Sequence, residues 1–370
     1  MNTTQAIDLE DAEGLVAADR QGLLRAASMA GALVRSVAAA AEEGALDSLR
    51  VDDRPRSVIW VAGRGPAETA GAMLAATLAG VAEEPIVVAG EAPPWVGPLD
   101  LLIVAGDDPG DPALVEAAAT GVRRGARVVV VAPYEGPLRD STAGRVAVLA
   151  PRLAVPDEFG LCRYLAAGLA ALQTVDSHLR IDLALLADEL DAEALRNSAA
   201  RELFTNPAKT LAARVSGRRA ALAGDCAATI ALARHGSSVL LRISHQVVAA
   251  TALADAVVAL RATSGQGDTA SSVDALFHDE DIDGPLPERL RVLALTLAAE
   301  RTVVAARVAE LHDIDLISAE DVPDAPGGPA GSAALPTTTT AVGAGRPEQQ
   351  LAILAVRLEM AAVYLRLVRG

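Results

Sequence analysis

Apolar positions along the chain follow two rhythms. Over residues 20–45, Leu23, Leu24, Ala27, Leu33, Val34 and Val37 recur at helical spacing with Arg25 and Arg35 turned outward, which predicts a long lead-in helix. The period then changes. Residues 57–62 read Ser-Val-Ile-Trp-Val-Ala, a short β-branched run closed by Gly63, Arg64 and Gly65 and followed by a helical stretch over 67–79. That is a strand, a glycine turn and a helix. Apolar runs at 85–89, 99–105, 127–132 and 146–149 repeat the unit, with helices expected over 113–124 and 159–174. Near-continuous apolar strands alternating with helices predict an α/β fold, a doubly wound and mostly parallel sheet covered on both faces.

Helices over 179–200 and 207–216 lead to a second unit, opened by a strand at 219–223 that Gly224 and Asp225 close. Asp225 is placed to cap the next helix. An apolar run at 273–277 and a helix over 287–311 extend the pattern, and the repeated strand-turn-helix opening predicts an internal pseudo-repeat. From 321 to 347 the chain is Pro, Gly, Ala and Thr with little that could bury apolar area, so a flexible linker is expected there. Beyond it Leu351, Leu354, Leu358, Tyr364, Leu365 and Val368 line one face of a terminal helix, with Arg357, Arg366 and Arg369 on its polar side. The expected organisation is a helical lead-in (1–50), a first domain (51–176), a second domain with its connecting helices (177–320), the linker (321–347) and a C-terminal helix (348–370).

Composition narrows the function. The 370 residues are 51% hydrophobic but only 2% aromatic, so the core is aliphatic and platforms for stacking nucleobases are scarce. A net charge of -16 repels phosphate backbones and anionic lipid surfaces alike, which argues against a nucleic-acid or membrane partner. Of the 32 basic residues Lys209 is the only lysine. Cys162 and Cys226 stand far apart without a C-x-x-C spacing, which excludes a thiolate zinc cluster and fits a reducing cytoplasm. The first nineteen residues carry Asp8, Glu10, Asp11 and Glu13 and no basic stretch before an apolar one, unlike a secretory signal. No metal and no cofactor is expected.

Several positions carry possible chemistry. The turn Gly63-Arg64-Gly65-Pro66-Ala67-Glu68 invites a dinucleotide reading with Glu91 as the ribose acid, yet Glu68 occupies the third glycine position, where its charge opposes a pyrophosphate. The loop Gly106-Asp107-Asp108-Pro109-Gly110-Asp111 lies at a strand's carboxyl end, where α/β proteins place ligands, although N-capping by Asp111 accounts for part of it. His278 lies among Asp279, Glu280, Asp281 and Asp283, a set with no calcium-loop spacing that reads as a solvated acidic turn. His235 precedes Gly236 and reads as a helix C-terminal residue.

Three segments, Val61-Ala-Gly-Arg-Gly-Pro66, Pro93-Pro-Trp-Val96 and Gly121-Val-Arg-Arg-Gly-Ala-Arg-Val128 with the valines after it, together with Asn206-Pro-Ala-Lys209 and Ala362-Val-Tyr-Leu365, run in the order seen in one family. The chain resembles the bifunctional phosphoglucose/phosphomannose isomerases, built from two sugar isomerase (SIS) domains, as a divergent member. The resemblance implies two SIS-like domains, a homodimer, and binding of a sugar phosphate for aldose-ketose isomerisation. It places the phosphate at Gly63, Arg64 and Gly65 and at Gly106, Asp107 and Asp108, with Arg64 and Arg242 as anion contacts. The family's Ser- and Thr-rich phosphate loops are replaced by Pro66 and by carboxylates here, and Val247 and Ala254 stand where its glutamate base and its histidine fall. His245 is then the candidate acid/base residue. On this reading the chain is a sugar-phosphate binder whose catalysis is open to being degraded, and the competing expectation is a non-catalytic regulatory or scaffolding subunit that binds another protein.

Overall fold

The computed structural model describes residues 7–51, 53–267, 289–319 and 346–369. The expected run 273–277, the acidic set around His278 and nearly all of the expected linker lie outside them. The first sheet joins β1 (Ser57–Val61), β2 (Ile86–Ala89), β3 (Asp100–Ala105), β4 (Arg127–Val131) and β5 (Ala147–Val148) in the order β2-β1-β3-β4-β5, every pair parallel. The second joins β6 (Arg219–Gly224), β7 (Ala249–Ala252), β8 (Leu290–Leu295) and β9 (Ile314–Ile317) in the order β7-β6-β8-β9, again all parallel. Its order reproduces the first four strands of the first sheet. The fold is therefore the expected α/β one, with two mostly parallel sheets and a C-terminal helix.

The continuous apolar strands follow from burial on both faces. In β1, Val58 and Trp60 enter one core while Ile59 and Val61 enter another, and β3 divides Leu101 and Ile103 from Leu102 and Val104 in the same way. Helices α5 (Pro112–Arg124) and α6 (Gly136–Thr142) cover the smaller core, through Leu114, Ala117, Ala118 and Leu138. The larger core is shared by both sheets and by α3 (Ala30–Glu42), α4 (Gly65–Leu78), α7 (Leu161–Val175), α8 (Leu183–Arg196), α9 (Pro207–Val215) and α10 (Ala227–Ser244). Trp60 is wedged inside it. A Cβ on Gly71 of α4 would lie 2.3 Å from its Cδ1, and one on Gly168 of α7 would lie 2.9 Å from its Cζ3, so these two glycines let the helices close on the indole. The Trp60 Nε1–H donates to the Ala67 carbonyl at 2.9 Å.

The structure departs from the sequence pattern at four elements. The long lead-in helix is broken into α2 (Leu23–Ala27) and α3, after a short α1 (Ala12–Ala18), and at the break the Ser28 hydroxyl donates to the Arg25 carbonyl at 2.8 Å, an alternative to continuing the helical ladder. The expected helix over 287–311 is instead β8 followed by α12 (Arg301–Val308), after α11 (Leu253–Gly267). Val292, Leu293, Ala294 and Leu295 form an unbroken buried run, which fits a two-faced strand as well as a helix until length and partners decide. Asp225 does not cap α10. Cys226 is its N-cap, and Asp225 accepts from the hydroxyls of Thr229 (2.7 Å) and Thr296 (3.0 Å), tying together the loops after β6 and β8.

The C-terminal helix α13 (Pro347–Arg369) is the largest correction. It runs through the larger core, against α8, α9 and α10, and is buried on almost every side. Arg357, expected on a polar face, is 1% exposed. Its Nε donates to Glu193 Oε1 at 2.6 Å, and its Nη1 and Nη2 donate to the carbonyls of Ser318 (2.7 Å) and Ala319 (2.9 Å).

Candidate functional site

In each sheet the chain leaves the first strand to one side and returns to the other, so the order reverses between β1 and β3 and between β6 and β8. Open α/β sheets take ligands outside the carboxyl ends of the strands at such a point. The loops after β1 and β3 meet there. Gly65, at φ +67°, makes the sharp turn from strand into helix that a side chain would strain, and a Cβ on Gly63 would lie 3.7 Å from Asp111 Oδ2. Asp111 caps α5 by accepting from the Ala113 N–H at 2.9 Å, and Asp108 accepts from the Gly110 N–H at 2.8 Å. Two of the three loop carboxylates are thus engaged in shaping the loop. Asp107 is exposed.

A cleft of about 180 Å3 opens between this corner and α10, bounded by Gly65, Pro66 and Thr69 at the start of α4 and by Arg234, Ser238 and Arg242 on α10. Glu158 and His235 also border it. Arg242 Nη2 pairs with Glu158 Oε1 at 2.7 Å, whereas Arg64 and Arg234 are exposed and make no ion pair among the described residues. The carboxylate of Asp157 reaches the N-terminus of α4, its Oδ2 lying 3.6 Å from where a Cβ on Gly65 would stand. The Tyr164 hydroxyl donates to Asp157 Oδ1 at 3.4 Å.

Burial, with the charges of Asp107 and Glu158 behind it, pushes the Asp157 carboxyl above the usual carboxylate range, against the pull of Arg242 and Arg163. Burial likewise raises the Tyr164 phenol, so it remains a hydrogen-bond donor at neutral pH. The Arg163 guanidinium stacks 4.1 Å from the centre of the Tyr164 ring, and its buried Nη1 has no hydrogen-bond partner among the described residues. The corner thus holds a carboxyl whose proton affinity is raised above that of an exposed carboxylate, within the field of Arg242 and Arg163. No group of three or more His, Cys, Asp or Glu side chains there or elsewhere among the described residues is arranged to hold a metal ion.

No protein-family model matches the sequence, and no curated protein matches it either. Solved structures do. The chain superposes on a proposed phosphosugar isomerase from Silicibacter pomeroyi with a TM-score of 0.63 at 16% identity, over 94% of this chain and 98% of that one. Tagatose-6-phosphate ketose/aldose isomerase from Escherichia coli gives 0.57 at 14%, over 98% and 94%. A glucose-6-phosphate isomerase-like protein from Thermus thermophilus gives 0.53 at 18%, over 98% and 96%. This is the sugar-isomerase fold. At these identities the likeness shows architecture alone.

Within the SIS-type fold the sequence-derived positions separate. Gly65 and Arg242 border the cleft, Gly63, Arg64 and Asp107 stand at its β1 and β3 corner, and Gly106 is buried just after β3. Asp108 is spent on its own loop. His245 does not border the cleft. It ends α10 as an exposed C-cap at φ +54°. His235, read as a helix end, sits in the middle of α10, because Gly236 serves packing: a Cβ there would lie 2.7 Å from Leu222 and 3.0 Å from Leu358. Asp157, Glu158, Arg163 and Tyr164 escaped the sequence reading, since they lie on a turn and a helix start without a motif. No helix among the described residues is long and apolar enough to cross a membrane.

Proposed function

We propose that the chain binds a sugar phosphate in this cleft and interconverts its aldose and ketose forms. The observation that carries the reading is a half-buried carboxyl of raised proton affinity, Asp157, beside the N-terminus of α4 at the edge of the cleft and within the field of Arg242 on α10. Arg64, Arg234 and Arg242 offer guanidinium donors to the phosphate in place of serine and threonine hydroxyls. Aldose-ketose interconversion moves one proton between adjacent carbons. A carboxylate takes the proton from carbon 2 and, as the carboxylic acid, returns it to carbon 1, while hydroxyl protons move between the two oxygens. A carboxyl raised above its ordinary range is better matched to that two-way transfer than one that is fully ionised. Tyr164 positions the carboxyl. The fold likeness supports the substrate class, since the Escherichia coli structure is of a sugar-phosphate isomerase.

The test is a thermal titration with fructose 6-phosphate, glucose 6-phosphate, mannose 6-phosphate and the same sugars without phosphate. A midpoint rise that grows with concentration, for the phosphorylated sugars alone, is the expected result, because a ligand of the native state stabilises by mass action. No rise with any of them overturns the reading and leaves the partner-binding alternative.

Asp107 gives a second check. Asp107→Ser removes a negative charge that faces both the incoming phosphate and Asp157. Sugar phosphates are expected to bind more tightly. The Asp157 carboxyl then ionises at lower pH, so the acid limb of kcat/KM moves to lower pH. A pH profile with an unmoved limb, measured on the folded variant, would count against Asp157 as the proton carrier.

A further inference from the structure

Behind the cleft lies a proton-holding pair that the isomerisation scheme does not use. His235 contributes to the cleft wall from α10 yet is only 3% exposed. Its Nε2 is 2.9 Å from Oε1 of Glu359 on α13, a carboxyl that is 1% exposed. Around the pair stand Cys162 of α7, whose thiol burial and the charge of Glu359 push well up so that it stays neutral, and the cleft groups Glu68, Glu158, Arg234 and Arg242.

A buried imidazole and a buried carboxyl in contact titrate as one unit. The pair has a charge of minus one when Glu359 is ionised and His235 neutral, and no net charge with one more proton. Burial disfavours the charged state; it lifts the Glu359 carboxyl even against the hydrogen bond from His235. An anion in the adjoining cleft adds to the same penalty, because His235 borders the cleft and is itself buried. A neutral sugar in the same place adds nothing.

We infer that when a phosphate dianion occupies the cleft, the His235–Glu359 pair takes up about one proton, so that anion binding at this site is linked to proton uptake through the C-terminal helix. The inference rests on the sugar-phosphate reading of the cleft. It also commits that reading to dianionic ligands, with affinity that falls as the pH rises even after the phosphate itself is fully ionised.

Calorimetry of fructose 6-phosphate at pH 8, where a phosphate with a second pKa of about 6 is a dianion, tests it in buffers of different ionisation enthalpy. The buffer dependence of the heat counts the protons taken up. About one proton per ligand is expected for the wild-type chain and for Asp157→Asn, and close to none for His235→Gln, whose amide nitrogen has the reach of the imidazole Nε2 toward Glu359. Binding with the same heat in every buffer overturns the inference and leaves the sugar-phosphate reading standing. Uptake that persists in His235→Gln overturns it as well. No binding in any buffer overturns both. The imidazole nitrogen shifts of the wild-type chain report the same event without a substitution: if they do not move on saturation, the assignment falls.

Discussion

Asp157→Asn is expected to lower kcat for the interconversion of fructose 6-phosphate with its aldose by about 10^2 to 10^4-fold, the usual weight of a positioned general acid-base group, and to leave KM within a few-fold. Asparagine has the same shape and still accepts from the Tyr164 hydroxyl, so the turn before α7 has no cause to rearrange. What it lacks is a proton to take and return. The carboxyl is singled out by its surroundings. Asp108 and Asp111 at the same corner are engaged with backbone N–H groups, and Glu158 is paired with Arg242. Asp157 alone combines partial burial, a neighbouring phenol and a place at the N-terminus of α4. Steady-state kinetics with a coupled assay measures the loss, and the thermal titration shows whether the sugar phosphate still binds. A variant that keeps its kcat would remove Asp157 from the mechanism. One that loses binding and turnover together would make it a recognition residue instead.

The contrast between Asp157 and His245 shows which information the sequence carries. Strands β1, β3 and β4 were legible because a parallel strand covered on both faces must be apolar at every position, and the Gly63-Arg64-Gly65 turn was legible because only glycine makes that turn cheaply. Strands β7 and β9 were not. The first is Ala-Ala-Thr-Ala at a sheet edge, and the second contains Asp315, so neither carries a burial pattern of its own. The proposed proton carrier was less legible for a related reason. The surroundings of Asp157 combine burial with the charges of Asp107 and Arg242 from distant segments as well as that of its neighbour Glu158, and no motif marks the position. The glycine at 236 misled in the opposite sense. It resembles a helix stop, yet its role is to admit α13 against α10, which is what sets His235 beside Glu359.

Arg357→Met is expected to cost roughly 3–5 kcal/mol of folding stability, the loss found when one partner of a buried ion pair is removed. Burial alone would lift the Glu193 carboxyl, but Arg357, joined by Arg196 and Asn197, holds it below the usual carboxylate range. Methionine fills much of the space and leaves a carboxylate that is fully buried with one cation fewer. It also removes the hydrogen bonds that Arg357 donates to the carbonyls of Ser318 and Ala319 at the exit of β9. Arg196 at 2.9 Å and the Asn197 amide at 2.7 Å remain on Glu193, which places the loss nearer the lower figure. Urea unfolding measures it as a fall in midpoint. Adding Glu193→Gln should return part of the loss, since it removes the stranded charge while an amide still meets Asn197. The pH dependence supplies an independent sign. A carboxyl lowered in the folded chain stabilises it above its unfolded pKa, and that contribution disappears as the pH falls through the folded value. Wild type should therefore lose more stability than the double variant between neutral pH and the acid range. If Arg357→Met unfolds at the wild-type midpoint, α13 is not held in the core by this pair, and its seating rests on the apolar contacts of Leu354, Leu358 and Leu365 alone.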